Sequence, residues 1–333
     1  MIMEGFFIED IDGLIFDVKG LLHPPDRVIA YLRYFPDREG ERERRGVKYR
    51  KVYSLAERDT VLKTKKPEYL YFDPVFGIVL EGVPRDRIVK VYDPREKLSQ
   101  LLGEEERSGL EEAAVHLALE IARKAGIPLS SIGVSGSMLV GLAGEGSDVD
   151  LVVFGEVNSQ KAYRAVGDLM AEGGDVKAYD EFGLKRLYEF RLKDTTMSYE
   201  EFARSERRKH MSGLVMGYDF FLRFVKFPDE YGESYGEKRY TPLGYALIEG
   251  VVSDDSDAIF TPCRYVLEKV RVLDGVTKPV NEVFSLRGRF SDQAKEGEKI
   301  MAKGKVEAVT SEEGECFRLV IGGERGDFLI VKR

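Results

Sequence analysis

One segment near the middle of the chain constrains its fold more than any other. It begins with Ser135-Gly136-Ser137 after an apolar run, continues for ten Gly-rich residues, and reaches Asp148-Val149-Asp150-Leu151 at the start of a second apolar run. In a strand, residues i and i+2 point to the same side. The sequence therefore predicts two short strands joined by a Gly-rich segment, with Asp148 and Asp150 projecting together from the edge of the second strand.

The two aspartates predict a divalent-cation site. Two like charges a few ångströms apart are costly unless something neutralises them, and carboxylate oxygens are ligands for Mg²⁺ or Mn²⁺. Gly136 and Ser137 lie beside them in the sequence, where backbone N–H groups and a hydroxyl can bind a phosphate. Together these features indicate metal-dependent phosphoryl chemistry. The alternative is a Gly-rich turn followed by solvated aspartates.

These residues resemble the signature of the DNA polymerase β-like nucleotidyltransferase superfamily, in which Gly-Gly or Gly-Ser is followed by a spacer and then Asp-apolar-Asp/Glu-apolar. Ser135 departs from it, because an apolar residue is usual there. The resemblance implies that Asp148 and Asp150 bind Mg²⁺ or Mn²⁺ and that Gly136 and Ser137 hold the phosphates of an NTP. It also implies transfer of an NMP to an acceptor hydroxyl. The whole chain is similar to an uncharacterised archaeal group of predicted nucleotidyltransferases.

Members of this superfamily usually carry a third acid on a later strand. Asp175 and Asp180 bracket a predicted third strand, and we favour this pair as catalytic residues by position. Asp219 has the expected apolar neighbours but falls in the segment assigned below to a third module, and Glu189 falls in a predicted helix. A core without its third acid would bind nucleotide or RNA without transferring it. Such a catalytically degenerate binding protein is the alternative function.

The chain is predicted to form three modules with an α+β fold, in which a nucleotidyltransferase-like mixed-sheet core is flanked by two β-rich modules. Residues 1–98 and 213–333 contain short β-branched and aromatic runs punctuated by Gly, Pro and Asp, whereas residues 99–212 alternate between helix and strand patterns. Tyr34-Phe35-Pro36-Asp37 is similar to Lys226-Phe227-Pro228-Asp229. We therefore expect that the third module repeats the first.

Within the predicted core, capping sequences and apolar periodicity define the helices and strands. The capping sequences are Ser108 to Glu111 and Ser198 to Glu201, the other predicted helices are Ser159 to Glu172 and Glu181 to Leu192, and the strands are Ile132 to Val134, Asp148 to Phe154 and Val176 to Tyr179.

A basic segment near the N-terminus predicts an RNA contact. Residues 37–66 contain eleven Lys or Arg and six Asp or Glu, a local charge of +5 in a chain of net charge -8. Residues 42–53 alternate basic and aromatic side chains, an arrangement that binds an RNA backbone and stacks a base. Arg44, Arg45, Lys48, Arg50 and Lys51 are the predicted phosphate contacts, with Tyr49 and Tyr53 placed to stack. The alternative is a solvated, charged hairpin.

Composition narrows the remaining possibilities. No apolar run reaches the length of a membrane span, and the first residues have no basic region typical of a signal peptide, so a cytoplasmic protein is expected. Cys263 and Cys316 are expected to be buried thiols, and their spacing from the histidines does not indicate a zinc site. The 33% content of charged residues and the absence of Trp are typical of a thermophile. The sequence gives no indication of oligomeric state.

Overall fold

The structure, a computed structural model, describes residues 2–191 and 196–332. The chain divides into two compact units. The first contains Met1–Asp73, Val79–Lys177 and Gly213–Tyr235, and the second contains Pro74–Ile78, Ala178–Ser212 and Gly236–Arg333. The N-terminal β-rich segment and most of the predicted core therefore share one unit, so the boundaries differ from the three modules expected from the sequence.

The first unit is built on two sheets. Their strands, in chain order, are β1 (Phe7–Asp10), β2 (Ile15–Val18), β3 (Arg27–Pro36), β4 (Arg42–Arg44), β5 (Val47–Lys51), β6 (Leu70–Asp73), β7 (Ile78–Pro84), β8 (Ile88–Tyr92), β9 (Ile132–Val134), β10 (Val149–Phe154), β11 (Val176–Lys177), β12 (Ser212–Val215) and β13 (Tyr218–Val225). The first eight strands form one sheet with the order β4-β5-β3-β2-β1-β8, in which β7 also pairs with β3 and with β6.

The second sheet of this unit is the mixed sheet expected for the core. Its order is β11-β12-β13-β10-β9, and its strand β10 pairs antiparallel with β9 and parallel with β13. Leu151, Val152 and Val153 in β10 are at most 1% exposed. Such a continuous apolar run is typical of a strand covered on both faces.

The described helices include those predicted within the core and others in segments where no helix was predicted. They are α1 (Leu55–Lys65), α2 (Pro94–Gly103), α3 (Gly109–Ala125), α4 (Gly136–Leu139), α5 (Glu156–Glu172), α6 (Glu181–Arg191), α7 (Tyr199–Glu206) and α8 (Pro228–Tyr231). The predicted capping boxes of Ser108 with Glu111 and of Ser198 with Glu201 are both present. Leu192, the predicted end of α6, lies outside the described residues.

A shared hydrophobic core explains why the N-terminal sheet and the mixed sheet form one unit. Phe6 and Phe154 pack edge to face with ring centroids 5.9 Å apart, and Phe154 stacks on Phe227. Val152 and Val225 belong to the same buried cluster as Ile8. Burying these side chains removes apolar surface of both sheets from water, which favours their association.

The second unit contains a six-stranded sheet. Its strands are β14 (Arg239–Asp254), β15 (Cys263–Gly275), β16 (Val280–Ser285), β17 (Lys299–Ser311), β18 (Gly314–Val320) and β19 (Phe328–Val331). The order is β14-β15-β16-β18-β17-β19, and β14 also pairs with β17, which closes the first five strands into a barrel. Tyr265, Ile300 and Leu319 are fully buried in its core.

The structure does not support the expected repeat. The N-terminal sheet is branched, whereas the C-terminal strands close on themselves. Pro36 ends β3, but the corresponding Pro228 begins α8, because proline fits both the end of a strand and the first turn of a helix. The cysteine prediction is also wrong in part, since Cys263 is buried but Cys316 is exposed. No helix in the described ranges is long and apolar enough to span a membrane.

Candidate active site

Asp148 and Asp150 lie at the beginning of β10, as the sequence predicts. Asp148 immediately precedes the strand and is exposed, whereas Asp150 is its second residue and is partly buried. Burial and the neighbouring charge of Asp148 raise the pKa of Asp150 to about 7. The two carboxylates therefore repel each other, and a cation bound between them would relieve that repulsion.

Gly136 is the closest neighbour of Asp150 in the Gly-Ser turn. The Ser135 N–H donates to the carbonyl oxygen of Asp150 at 2.8 Å, which brings the turn against the start of β10. Gly136 has φ +62°, and a Cβ at this position would overlap Oδ2 of Asp150 and lie 2.8 Å from its Cγ. Both the backbone conformation and the lack of space require glycine here.

The two serines of the turn have different environments. Ser135, which stands where the superfamily pattern has an apolar residue, is buried, and its hydroxyl donates to the carbonyl oxygen of Gly5 at 2.8 Å. This hydrogen bond satisfies the buried hydroxyl and explains the departure from the pattern. The hydroxyl of Ser137 lies 3.4 Å from that of Ser147, at the other end of the Gly-rich segment.

Arg223 of β13 is part of a buried ion network that the sequence did not reveal. Its Nη1 lies 2.6 Å from Glu4 Oε1 and 3.4 Å from Asp17 Oδ1, and Lys19 Nζ lies 2.6 Å from Asp17 Oδ2. Burial disfavours the charged guanidinium, but Asp17, Glu4 and Asp150 outweigh it and raise the pKa of Arg223. The network therefore holds the permanently charged guanidinium of Arg223 within electrostatic range of Asp150.

Three further cations come from the N-terminal sheet. Arg33 and Lys51 interact electrostatically with Asp150, and Arg42 and both aspartates contribute to the electrostatic environment of Lys51. Burial raises the pKa of Tyr34, on the same sheet, to about 12, an effect that Asp150 reinforces and Arg33 opposes. In the sequence, the one signal for Arg33 is that it is a charged residue within the otherwise apolar run of β3. Arg42 and Lys51 belong to the basic segment.

Asp219 lies on the core sheet, in the strand that pairs in parallel with β10. Val149 pairs with Phe220 in the parallel β10–β13 ladder, so Asp219 lies one step before that pair, directly across from Asp148. Adjacent strands are about 4.8 Å apart, and paired residues of parallel strands point to the same side. Asp219 is therefore the lateral neighbour of Asp148. It belongs to the core sheet and not to the C-terminal module.

Of the two favoured candidates, Asp175 lies away from the pair within the first unit, and Asp180 belongs to the second unit. Asp175 precedes β11, which is three strand spacings, about 14 Å, from β10, and its Oδ2 lies 3.6 Å from Nε2 of His116. Asp180 belongs to the second unit, where its Oδ1 accepts a hydrogen bond from Gly183 N at 2.7 Å at the start of α6. Position along the chain was misleading, because β12 and β13 lie between β11 and β10.

The basic segment forms the β4–β5 hairpin, and much of it is not available to RNA. Arg44 binds Glu9 at 2.7 Å and Tyr49 at 2.9 Å, and Tyr49 is only 4% exposed. Arg50 is paired with Asp37 at 2.9 Å. Arg44, Arg50 and Tyr49 are therefore each engaged within the first unit, and Arg50 keeps 43% of its side chain exposed.

Three members of the predicted RNA surface remain accessible. Arg45, Lys48 and Tyr53 are exposed, and the first two lie at or next to the tip of the hairpin. Two cations and one ring are a smaller contact than the five cations and two rings predicted from the sequence.

The carboxylates fit a divalent metal. The described residues contain no group of three or more His, Cys, Asp or Glu side chains already arranged around a metal position. Mg²⁺ usually keeps several waters and is bound by one or two carboxylates together with substrate phosphates, so a complete protein cage is not required. Asp148 and Asp150 would be the ligands, with Asp219 beside them. A cation held by both carboxylates would favour the ionised form of Asp150, whose pKa burial and Asp148 raise.

Comparisons with known proteins agree with this arrangement. A family model described as a nucleotidyltransferase domain matches residues 117–209, which include the Gly-Ser turn and both aspartates. The chain is 35% identical to the uncharacterized protein MJ1086 of Methanocaldococcus jannaschii over 340 residues, covering 98% of each chain. No solved structure matches the chain. The chain therefore belongs to the DNA polymerase β-like nucleotidyltransferase superfamily.

Proposed function

We propose that the first unit catalyses the metal-dependent transfer of an NMP from an NTP to an acceptor hydroxyl. The acceptor oxygen bonds to the α-phosphorus, the bond between that phosphorus and the bridging oxygen breaks, and pyrophosphate leaves with that oxygen. Asp148 and Asp150 hold Mg²⁺ or Mn²⁺, which supplies charge stabilisation to the phosphates. The superfamily is generally dependent on divalent metals and uses NTPs, which supports this reading.

The observation that carries the proposal is the position of Asp219 beside Asp148 on the parallel strand β13. We assign to Asp219 the role of the third acid, which accepts the proton of the acceptor hydroxyl or shares the metal. Gly136 and Ser137 hold the phosphates at the turn that contacts Asp150. Asp175 and Asp180 have no role in this proposal, since the structure gives each of them another contact.

The acceptor is the least defined part of the reaction. RNA stays a prediction, which now rests on Arg45, Lys48 and Tyr53 at the exposed part of the hairpin. A metabolite or a protein hydroxyl is equally compatible with the carboxylates and the turn, because neither contacts the acceptor beyond the reacting oxygen.

A catalytically degenerate nucleotide- or RNA-binding protein is the second candidate. It is favoured by the lack, among the described residues, of three ligand side chains gathered around one position. Calorimetry with each NTP, with and without Mg²⁺, combined with a pyrophosphate assay, separates the two candidates. We expect Mg²⁺ to strengthen NTP binding and pyrophosphate to be released once an acceptor is present. Tight binding that ignores Mg²⁺ and releases no pyrophosphate would favour the binding protein.

A further inference from the structure

The β4–β5 hairpin is anchored to the Gly-rich segment that precedes the catalytic aspartates. Nη1 of Arg44 donates to Tyr92 Oη at 2.6 Å and to the carbonyl oxygen of Val140 at 3.3 Å, and Nη2 contacts Glu9 and Tyr49. With these partners the Arg44 guanidinium is fully engaged. The hairpin is therefore a fixed part of the first unit, and its remaining side chains have defined positions.

Arg42 contacts Ser147, which links it to the Gly-Ser turn. Its Nη1 donates to Ser147 Oγ at 3.3 Å, and that hydroxyl lies 3.4 Å from the hydroxyl of Ser137. Gly144 leaves room for the guanidinium, because a Cβ there would lie 3.2 Å from Arg42 Cζ. A single hydroxyl therefore separates Arg42 from the serine that the superfamily signature uses.

Arg33, Arg42 and Lys51 form a group of cations on the N-terminal sheet. All three are partly buried, and among the described residues none of them forms an ion pair. Arg33 and Lys51 lie within electrostatic range of Asp150, and Arg42 lies within electrostatic range of Lys51. Partly buried like charges are unfavourable in the free protein, so their grouping indicates an anionic ligand.

We propose that Arg42, Lys51 and Arg33 form the subsite that holds the β- and γ-phosphates of the NTP, supplied by the N-terminal sheet and not by the nucleotidyltransferase core. The inference rests on the proposed function, because it takes the carboxylates as the site of transfer. Three cations within electrostatic range of one another suit a compact polyanion. A linear RNA backbone would need them spaced along a surface, and the exposed cations of the hairpin, Arg45 and Lys48, lie elsewhere on it.

Calorimetry with a non-hydrolysable probe tests the inference. The unaltered chain, Arg42→Gln and Lys51→Gln are each titrated, in the presence of Mg²⁺, with two triphosphate analogues, α,β-methylene ATP and α,β-methylene GTP. AMP and GMP are titrated for comparison. The matched controls are Arg45→Gln and Lys48→Gln, which remove the same charge from the same hairpin. Each site variant should weaken triphosphate binding about tenfold or more, because the loss of a charged hydrogen bond costs about that factor in affinity. Monophosphate binding should weaken by less than threefold. Both controls should bind like the unaltered chain.

The outcomes separate this inference from the proposed function. If the unaltered chain binds the triphosphates and transfers label but the site variants bind as tightly as it does, the subsite is overturned and the function stands. An equal loss for monophosphate and triphosphate, or the same loss in the controls, also overturns the subsite. Weaker RNA binding in the controls alone, with unchanged triphosphate binding in all four variants, assigns the hairpin to RNA. No triphosphate binding by the unaltered chain overturns both proposals.

Discussion

Gly136→Ala tests the contact between the Gly-Ser turn and Asp150. The new Cβ would lie 2.8 Å from Asp150 Cγ, where ordinary contact begins at 3.4 Å, so the carboxyl group must move by more than about half an ångström. A misplacement of about 1 Å at a reacting group costs on the order of 100-fold in rate. We therefore expect kcat to fall between about 10- and 100-fold, measured by pyrophosphate release at saturating NTP.

Gly146→Ala is the matched control, because it separates backbone strain from the contact. Gly146 has φ +71°, close to the +62° of Gly136, but nothing lies within 4 Å of its Cβ position. Both variants should lose about 1 kcal/mol of unfolding free energy from the left-handed backbone. Only Gly136→Ala should lose activity. Full activity of Gly136→Ala, or an equal loss in Gly146→Ala, would refute the reasoning.

Three other changes give measurable results. Asp219→Asn should lower kcat by about 100-fold or more while the Kd for NTP changes less than threefold, and Asp175→Asn should leave both unchanged; steady-state kinetics and calorimetry check this. Ser135→Ala leaves the buried Gly5 carbonyl without its donor and should lower the unfolding free energy by about 1–2 kcal/mol in urea titrations. Burial raises the pKa of Glu81 to about 7 in the folded protein, from an ordinary pKa near 4.5 in the unfolded chain. Glu81 therefore contributes stability below pH 4.5 that is lost as the pH rises to about 7. The unfolding free energy of the unaltered chain should therefore fall by about 3 kcal/mol relative to Glu81→Gln between pH 4 and pH 8, and parallel pH profiles would contradict this.

The local parts of the site were predictable from the sequence. The turn at Gly136, the aspartates at the start of β10 and the capping box at Ser108 all depend on residues close together in the chain, where spacing and backbone preference decide the structure. The mixed-sheet core followed from the same alternation of helix and strand.

The non-local parts were not predictable, because they depend on which strands pair. Asp219 lies beside Asp148 only because β13 pairs with β10, which leaves β11 and Asp175 three strand spacings from β10. The residues around Asp175 do not indicate that strand order. Arg33 and Lys51 come from strands about a hundred residues earlier in the chain. The buried core that contains Phe6 and Phe154 brings those strands to the aspartates. No local sequence pattern predicts this packing.

The central claim is that Asp148 and Asp150 direct metal-dependent NMP transfer. Its most direct measurement follows label from α-³²P-labelled NTPs, with Mg²⁺ or with EDTA, into RNA, protein and metabolite fractions offered separately as acceptors. The account predicts transfer by the unaltered chain and by Asp175→Asn, and loss of about 1,000-fold or more with EDTA and in Asp148→Asn and Asp150→Asn. Failure of the unaltered chain to label any fraction, or undiminished transfer by either aspartate variant, would contradict it.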